Sequence, residues 1–166
     1  LVHRVLTMTY VNFDGHVPTP GVLDELDQKL LQMRQQALDE AGLRLSLCNF
    51  RHALGSAMSL AQEANRYINT KAPWVTRKTD RARTATTLWV SLNILSCLKT
   101  LTYPFLPFSP QRLHELLGFD GKVHEVGWNL QEVQSGQTIP EPKPLFTKLE
   151  DSIVQEEGSR LRSQAA

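Results

Sequence analysis

Trp74 stands just past a proline at the end of a long amphipathic run, Ala64-Asn65-Arg66-Tyr67-Ile68-Asn69-Thr70-Lys71-Ala72-Pro73-Trp74. Five cationic residues (Lys71, Arg77, Lys78, Arg81 and Arg83) surround it within 13 positions, against the single acid Asp80. A flat aromatic ring in an electropositive loop is what a stacked, unpaired nucleic-acid base needs. The proline ring disfavours helical backbone at the residue before it. The helix is therefore expected to stop near Lys71 and to leave Trp74 in the turn beyond. Residue type alone leaves other uses open. A tryptophan after a helix also serves as a core plug, or as the anchor of a protein interface.

A second candidate lies at the start of the chain. Val2, Val5, Leu6, Thr9 and Phe13 mark the apolar stripe of a first helix running to about Asn12, and Arg4 falls nearly opposite that stripe. It is free to meet a ligand, or simply to be solvated. Arg44, Arg51, Gln62, Arg66 and Asn69 share one flank of a predicted helix over 44–71, a flank that could track a phosphate backbone or face solvent. Arg66, Lys71, Arg77, Lys78, Arg81 and Arg83 are the candidate phosphate contacts, which position a nucleic acid without reading its sequence.

Catalytic chemistry is missing. The chain has no Gly-x-Ser-x-Gly elbow, no phosphate-binding Gly-rich loop and no His-Glu-x-x-His. Cys48 and His52 are one helical turn apart, but two ligands are too few for a structural zinc site, so they are assigned to core packing. His114 and Glu115 are adjacent on a helix and do not face each other. No catalytic or metal-binding residue is expected.

The Trp74 stretch resembles the methionyl-tRNA synthetases, whose helical anticodon-binding domain carries Ala-Asn-x-Tyr-x-x-x-x-x-Pro-Trp. Leu1-Val2-His3-Arg4 with Asn12-Phe13-Asp14-Gly15, then Tyr103-Pro104-Phe105-Leu106-Pro107-Phe108, then Pro144-Leu145-Phe146-Thr147-Lys148-Leu149-Glu150 follow in the family's order and spacing. Together these pieces cover residues 1 to about 150. The resemblance implies that the chain takes part in recognition of the CAU anticodon of tRNA(Met), with Trp74 stacking on the first base and Arg4 donating to its edge. Asn65, Tyr67 and Pro73 would fix the helix end and the Trp74 loop. The His-Ile-Gly-His and Lys-Met-Ser-Lys-Ser motifs that handle ATP in the family's catalytic domain do not occur here. The chain is thus expected to need no cofactor and not to activate an amino acid. Its partners would be the tRNA(Met) anticodon loop and the catalytic domain of a longer parent protein, which uses ATP and methionine. In the family an asparagine one helical turn ahead of the arginine reads the same base. That position would precede Leu1, so weakened anticodon affinity is expected. The family also places the segment after Pro144 back toward the catalytic body. Two other readings remain: a helical protein-interaction module that never meets RNA, and the anticodon domain of another class I synthetase.

Composition fits this class. Of 166 residues, 41% are hydrophobic and 21% charged, the balance of a soluble globular domain. The net charge of +1 hides an asymmetry. Residues 44–112 hold ten Lys/Arg against two Asp/Glu, whereas both flanks are acidic, which localises a polyanion-binding face to the middle third. There is no apolar run long enough to span a membrane and no signal-peptide pattern. Two distant cysteines, Cys48 and Cys97, fit buried thiols in a reducing compartment, and the cytoplasm is the expected location. The first residue is not methionine and helical periodicity is already running at Val2, which reads as a piece of a longer protein.

The elements that must hold these residues make an all-α protein: an anticodon-binding type of bundle with about five helices and an irregular C-terminal extension. After the first helix, Asp14-Gly15 and three closely spaced residues, Pro18, Pro20 and Gly21, mark an extended connection. The second helix carries Leu23, Leu26, Leu30, Met33 and Ala37 on one face, with Asp24, Glu25 and Asp27 in its first turn and Gly42 as its stop. The third places Leu47, Phe50, Leu54, Ala57, Met58, Ala61, Ala64 and Ile68 on its seam, with Asn65 beside that seam, at least half buried and hydrogen-bonded. The fourth, 84–102, is apolar almost all round and is expected at the bundle centre. Ser109-Pro110 opens a short fifth helix that ends at Gly118. Residues 1–118 thus form the bundle, 119–146 an irregular excursion or tether, and 147–166 a short helix over about 147–157 and a frayed tail. Trp89 and Trp128 are read as core residues.

Overall fold

A computed structural model describes residues 1–146 together with 152–154, 157 and 160. Among the described residues there are seven helices and no strand beyond one isolated bridge between His16 and Thr138. The helices are α1 (Val2–Asn12), α2 (Glu25–Ser46), α3 (Phe50–Lys71), α4 (Pro73–Thr76), α5 (Arg81–Thr102), α6 (Phe108–Leu116) and α7 (Val123–Val126). No described helix is long and apolar enough to cross a membrane.

α5 is the centre. Every position from Thr84 to Leu101 except Trp89 is buried, as the lack of a polar face predicts. Four of its buried hydroxyls are satisfied locally. Thr84, Thr86, Thr87 and Ser91 each donate to the carbonyl four residues back, a bonding pattern open to Ser and Thr in helices. Around it α2 and α3 form an antiparallel pair that packs more extensively than any other two helices. Residues 47–49 turn the corner, with Cys48 in the left-handed region at φ +54°. Cys48 is therefore neither helical nor buried, contrary to expectation, whereas Cys97 is buried and its burial pushes the thiol up to about 12.

α5 begins at Arg81 rather than 84 and α6 ends at Leu116 rather than Gly118, and three further helix limits differ from expectation. α2 does not stop at Gly42 but passes through it to Ser46. A Cβ at Gly42 would lie 2.7 Å from Trp128 Nε1, and Trp128 donates to the Leu38 carbonyl at 3.1 Å. The glycine makes room for that ring and ends nothing. α3 starts at Phe50, not at 44, so Arg44 belongs to α2, where it pairs with Glu40 at 2.7 Å. α6 begins at Phe108, before the Ser109-Pro110 pair.

The buried stripe of α3 is Ala53, Ala57, Leu60, Ala64, Tyr67, Ile68 and Lys71. It is rotated by roughly 60° from the seam that apolar residues alone define. Leu47, Phe50 and Met58 are exposed instead. Tyr67 and Lys71 are buried because both find acidic partners, described below.

Residues 119–146 form an ordered strap across the bundle. Val133 and Ile139 are buried. Asn93 Oδ1 accepts from the Val133 amide at 3.1 Å, and the Gln131 carbonyl accepts from Ser96 at 2.5 Å. The Ile139 amide donates to the Gly15 carbonyl at 2.8 Å, tying the strap to the end of α1. Gly118 permits this path. Its φ is +79°, and a Cβ there would collide with the Thr138 carbonyl at 2.0 Å. Most of the expected helix over 147–157 and the tail after it lie outside the described residues.

One buried group stands out energetically. Lys99 is fully buried. Its ammonium donates to Gln131 Oε1, lies 3.1 Å from His114 Nδ1 and sits 4.1 Å from the Phe119 ring centroid. His114 Nε2 is 2.9 Å from the Asp120 carbonyl, so the neutral ring with its proton on Nε2 satisfies both contacts. Lys99 pairs with no carboxylate among the described residues, and desolvation lowers its ammonium to about 8. An unfolded lysine holds its proton to about 10.5, so between these values the unfolded chain binds more protons than the folded one. Stability from this group therefore rises as pH climbs from about 8 toward 10.5. Replacing Lys99 by Met removes that rise. Denaturant unfolding of both proteins between pH 7 and 10 is expected to show a steeper gain with pH for the unsubstituted chain.

Candidate nucleic-acid interface

The local conformation of Trp74 begins with Ala72. This residue takes the left-handed conformation at φ +43° and ψ +58°, consistent with the exclusion of ordinary helix before proline. α3 ends at Lys71, as expected, and Pro73 starts a new four-residue turn of helix at its first position. Trp74 is thus in the short helix α4 rather than in an irregular turn. Pro73 is buried, and Trp74 remains 38% exposed. Thr76 Oγ1 lies 2.7 Å from Thr84 Oγ1, which fastens α4 to α5.

α1 is held against the same end of the bundle at both of its termini. Near its start, Arg4 donates to Asn69 Oδ1 at 3.3 Å and places its guanidinium carbon 5.3 Å from the Trp74 ring centroid. At its end, the Asn12 carbonyl accepts from Arg81 at 3.0 Å, and the Arg81 guanidinium lies over Phe13 at 5.1 Å. Arg4, Asn69 and Trp74 are all exposed. Residues 70 positions apart in the chain therefore meet at one open site.

Beneath this site lies a charged cluster. Asp24 caps α2, accepting from the amides of Leu26 and Asp27, while Asp27 accepts from the Asp24 amide. Lys71, at the end of α3, reaches Asp24 at 2.6 Å and Asp27 at 3.0 Å. Arg83, in the first turn of α5, pairs with Asp24 and lies 3.2 Å from Asp27. Tyr67 donates to Asp27 at 2.8 Å. The hydrogen bond from Lys71 holds the Asp24 carboxyl well below the usual carboxylate range, against the opposing effect of desolvation. Burial, then the bond to Asp27, pushes the Tyr67 phenol well above its ordinary value.

The remaining sequence candidates divide accordingly. Lys71 and Arg83 are spent on Asp24 and Asp27, and Lys71 is buried, so it presents no charge to an incoming phosphate. Arg81 is turned toward α1. Arg66 is exposed but paired with Glu63 at 2.6 Å. Arg77 and Lys78 are exposed beside α4. Asn65 is exposed, not half buried, because the rotation of the α3 stripe carries it outward, and its amide bonds only to the Ala61 carbonyl of its own helix. Tyr67 supports the end of α3 through Asp27. Trp89 and Trp128 pack against the core. A groove of about 540 Å³ between α2 and α3 is lined by residues such as Met33, His52 and Leu60 and includes none of the site. No group of three metal-ligating side chains is found among the described residues. Sequence reading missed Asn69 as a partner of Arg4. Its only signal was membership of the α3 flank.

An all-helical bundle with an exposed indole and guanidinium in contact at one end defines the class of this domain. Comparison with known proteins places it further. Residues 17–166 match the family model described as the anticodon binding domain of methionyl tRNA ligase, and the chain belongs to that family. It is 48% identical over 161 residues to the methionine–tRNA ligase of Dehalococcoides mccartyi strain 195, covering 97% of this chain and 29% of that protein. It is 40% identical over 190 residues to that of Roseiflexus sp. strain RS-1, covering 99% and 32%. The fold superposes on apo Mycobacterium tuberculosis methionyl-tRNA synthetase with a TM-score of 0.83 at 28% identity, covering 90% of this chain and 31% of that one. The chain thus spans about a third of the length of the relatives it matches.

Removing Asp27 leaves two cations facing a single partly exposed carboxylate. Asp27→Ala is expected to destabilise the domain by about 3–5 kcal/mol, the range for breaking a buried ion pair from one side. Arg4→Ala, at an exposed position, should cost no more than about 1 kcal/mol, the worth of its contact with the Trp74 ring. Urea unfolding of the two variants checks both.

Proposed function

We propose that this domain reads the CAU anticodon of tRNA(Met) for a methionyl-tRNA synthetase. The observation that carries the reading is the contact between the Arg4 guanidinium and the half-open Trp74 ring. Sequence-specific RNA recognition favours unpaired loops whose bases can be splayed out, stacked on aromatic rings and hydrogen-bonded at their edges. Trp74 offers the stacking surface, and Arg4 offers N–H donors beside it. Arg77 and Lys78, exposed just beyond α4, would meet backbone phosphates. Pro73 and Tyr67 keep the platform fixed, Pro73 through α4 and Tyr67 through the charged cluster.

In this reading the domain contributes discrimination by position rather than bond chemistry. The parent protein would attach methionine to tRNA(Met) with ATP in a separate catalytic domain, in the cytoplasm. A solved relative that this fold matches, from M. tuberculosis, is described in complex with methionyl-adenylate. Binding the anticodon would then present the acceptor end to that distant active site.

Affinity for anticodon stem-loops carrying CAU or GAU, measured at one fixed low salt concentration, tests the reading. Tighter binding to CAU is expected, and equal binding to both would remove anticodon reading as the function. A partner protein recovered after nuclease treatment, together with equal binding, would favour a protein-interaction module. Trp74→Ala should weaken CAU binding by roughly 1–3 kcal/mol, the worth of one stacked base. The circular dichroism of the bundle should be unchanged.

A further inference from the structure

Lys99 on α5 and His114 on α6 are both fully buried, with the ammonium 3.1 Å from His114 Nδ1. Both nitrogens of the neutral ring are in use: Nε2–H donates to the Asp120 carbonyl, and Nδ1 accepts from the ammonium. A further proton has only Nδ1 to bind, and there it would point at a cation in a space closed to water. The cover over the pair is thin. Phe119 lies 4.1 Å from the ammonium and 5.2 Å, between centroids, from the His114 ring, while Gln131 accepts from Lys99. Phe119 and Gln131 are themselves only half-buried. Phe119 and Asp120 stand between Gly118 and Gly121, both at φ +79°, a left-handed conformation that glycine adopts without strain. These two residues form a short flap. The Phe119 amide donates to the His114 carbonyl at 3.2 Å, and the Asp120 carbonyl accepts from the His114 ring at 2.9 Å.

We propose that Lys99 and His114 form an acid-sensitive latch, in which a second proton entering the pair drives the Phe119–Asp120 flap away from the bundle. Two cations this close repel strongly where water is excluded, and water reaches them only when the flap lifts. The charged groups around His114 are Lys99 from α5, Glu115 on its own helix and Asp120 on the flap. Burial is the largest influence on the imidazole. With the Lys99 charge it outweighs the two carboxylates and the bond to the Asp120 carbonyl, and holds the ring below its ordinary 6.5. Farther along the strap, Glu125 accepts from the Lys122 amide, His124 lies 3.4 Å from the Tyr103 hydroxyl and Glu132 pairs with Arg34. Below 6.5 the open flap therefore binds more protons than the closed one, so closure weakens as pH falls and is untouched by His114 above that value.

Hydrogen exchange of the Phe119 amide in the chain of residues 1–166, corrected for the intrinsic rate at each pH, tests the latch. The opening constant should rise as pH falls from about 7 to about 5, by up to about tenfold per pH unit, the limit for uptake of one proton. The Leu95 amide, in the middle of α5, should exchange far more slowly throughout, because it opens only with the whole bundle. His114→Asn keeps a side-chain oxygen that can accept from Lys99 but takes up no proton, so it should flatten the rise. Lys99→Met leaves the imidazole without its neighbouring cation and should reduce the rise. An opening constant that does not change with pH in the unsubstituted chain, or a rise that survives His114→Asn, would overturn the latch. Phe119 exchanging no faster than Leu95 would do the same, since no flap would then open on its own. An undiminished rise in Lys99→Met would assign the effect to burial of the imidazole alone and remove the pair, and this arm decides the matter even where His114→Asn does not fold. None of these readouts involves RNA, so each outcome leaves the anticodon reading as it stands.

Discussion

Two carboxylates, two cations and a phenol hold the end of this bundle together. Asp24 and Asp27 at the start of α2 meet Lys71 from the end of α3 and Arg83 from the start of α5, with Tyr67 donating into the same group. Three of these placements follow the helix dipole: acids at an N-terminus and a lysine at a C-terminus are each favoured there. Arg83 opposes it, near the N-terminus of α5, and is offset by the Asp80 cap and both carboxylates. The buried pair of Lys71 and Asp27 stabilises little against an apolar equivalent, since desolvation consumes most of the Coulombic gain. What the cluster supplies is register. Only one rotation of α3 brings both Tyr67 and Lys71 to Asp27, and that rotation decides which residues of the helix face outward.

The position of the site follows from that register. Asn69 turns outward toward α1 because Tyr67 and Lys71 turn inward. The chain leaves α3 through a left-handed Ala72, and Pro73 launches α4 with Trp74 on its surface. A non-glycine residue in this region carries strain of order 1–3 kcal/mol, tolerable only where the surroundings leave no alternative. Here Lys71 is anchored on one side and Pro73 is buried on the other. The basic segment that looked like one polyanion-binding surface is thereby divided. Lys71 and Arg83 serve the scaffold, Arg81 holds α1, and only Arg77 and Lys78 keep a solvent-facing charge near the ring without an acidic partner among the described residues.

The central helix was legible in the sequence because burial of α5 needs no partner to be named: a run apolar on every side has nowhere else to go. The end of α3 was equally legible from Pro73. The face of α3 was not. Leu54, Met58 and Ala61 pulled the expected seam toward Asn65, and nothing local revealed that a tyrosine and a lysine would be the buried pair. Their partners lie 40 or more positions away, at the start of α2. Gly42 misled for a related reason. A glycine inside a helix reads as a stop, yet here it accommodates Trp128, 86 positions downstream. The strap over 119–146 lacks periodicity because its order comes from hydrogen bonds into the bundle rather than from its own repeat.

The contact between Arg4 and Trp74 has two consequences that pull in opposite directions. A guanidinium over an indole gains about 0.5–1 kcal/mol at an exposed position, which must be surrendered on any face that a base is to occupy. Yet the same contact, with the bond to Asn69, fixes both groups before a ligand arrives, and immobilising one such side chain costs about 0.5–1.5 kcal/mol. The two magnitudes are similar, so preorganisation can offset the loss only if the guanidinium keeps its place when the base enters. A base stacked on the uncovered part of the indole, with its edge toward Arg4, meets that condition, since neither Asn69 nor the ring has to release the arginine. Displacement of Arg4 by the base would forfeit the gain and the donor together. The arrangement therefore favours a ligand that approaches edge-on to the arginine and face-on to the tryptophan, a geometry available to an unpaired base splayed from a loop and denied to one still stacked in a duplex.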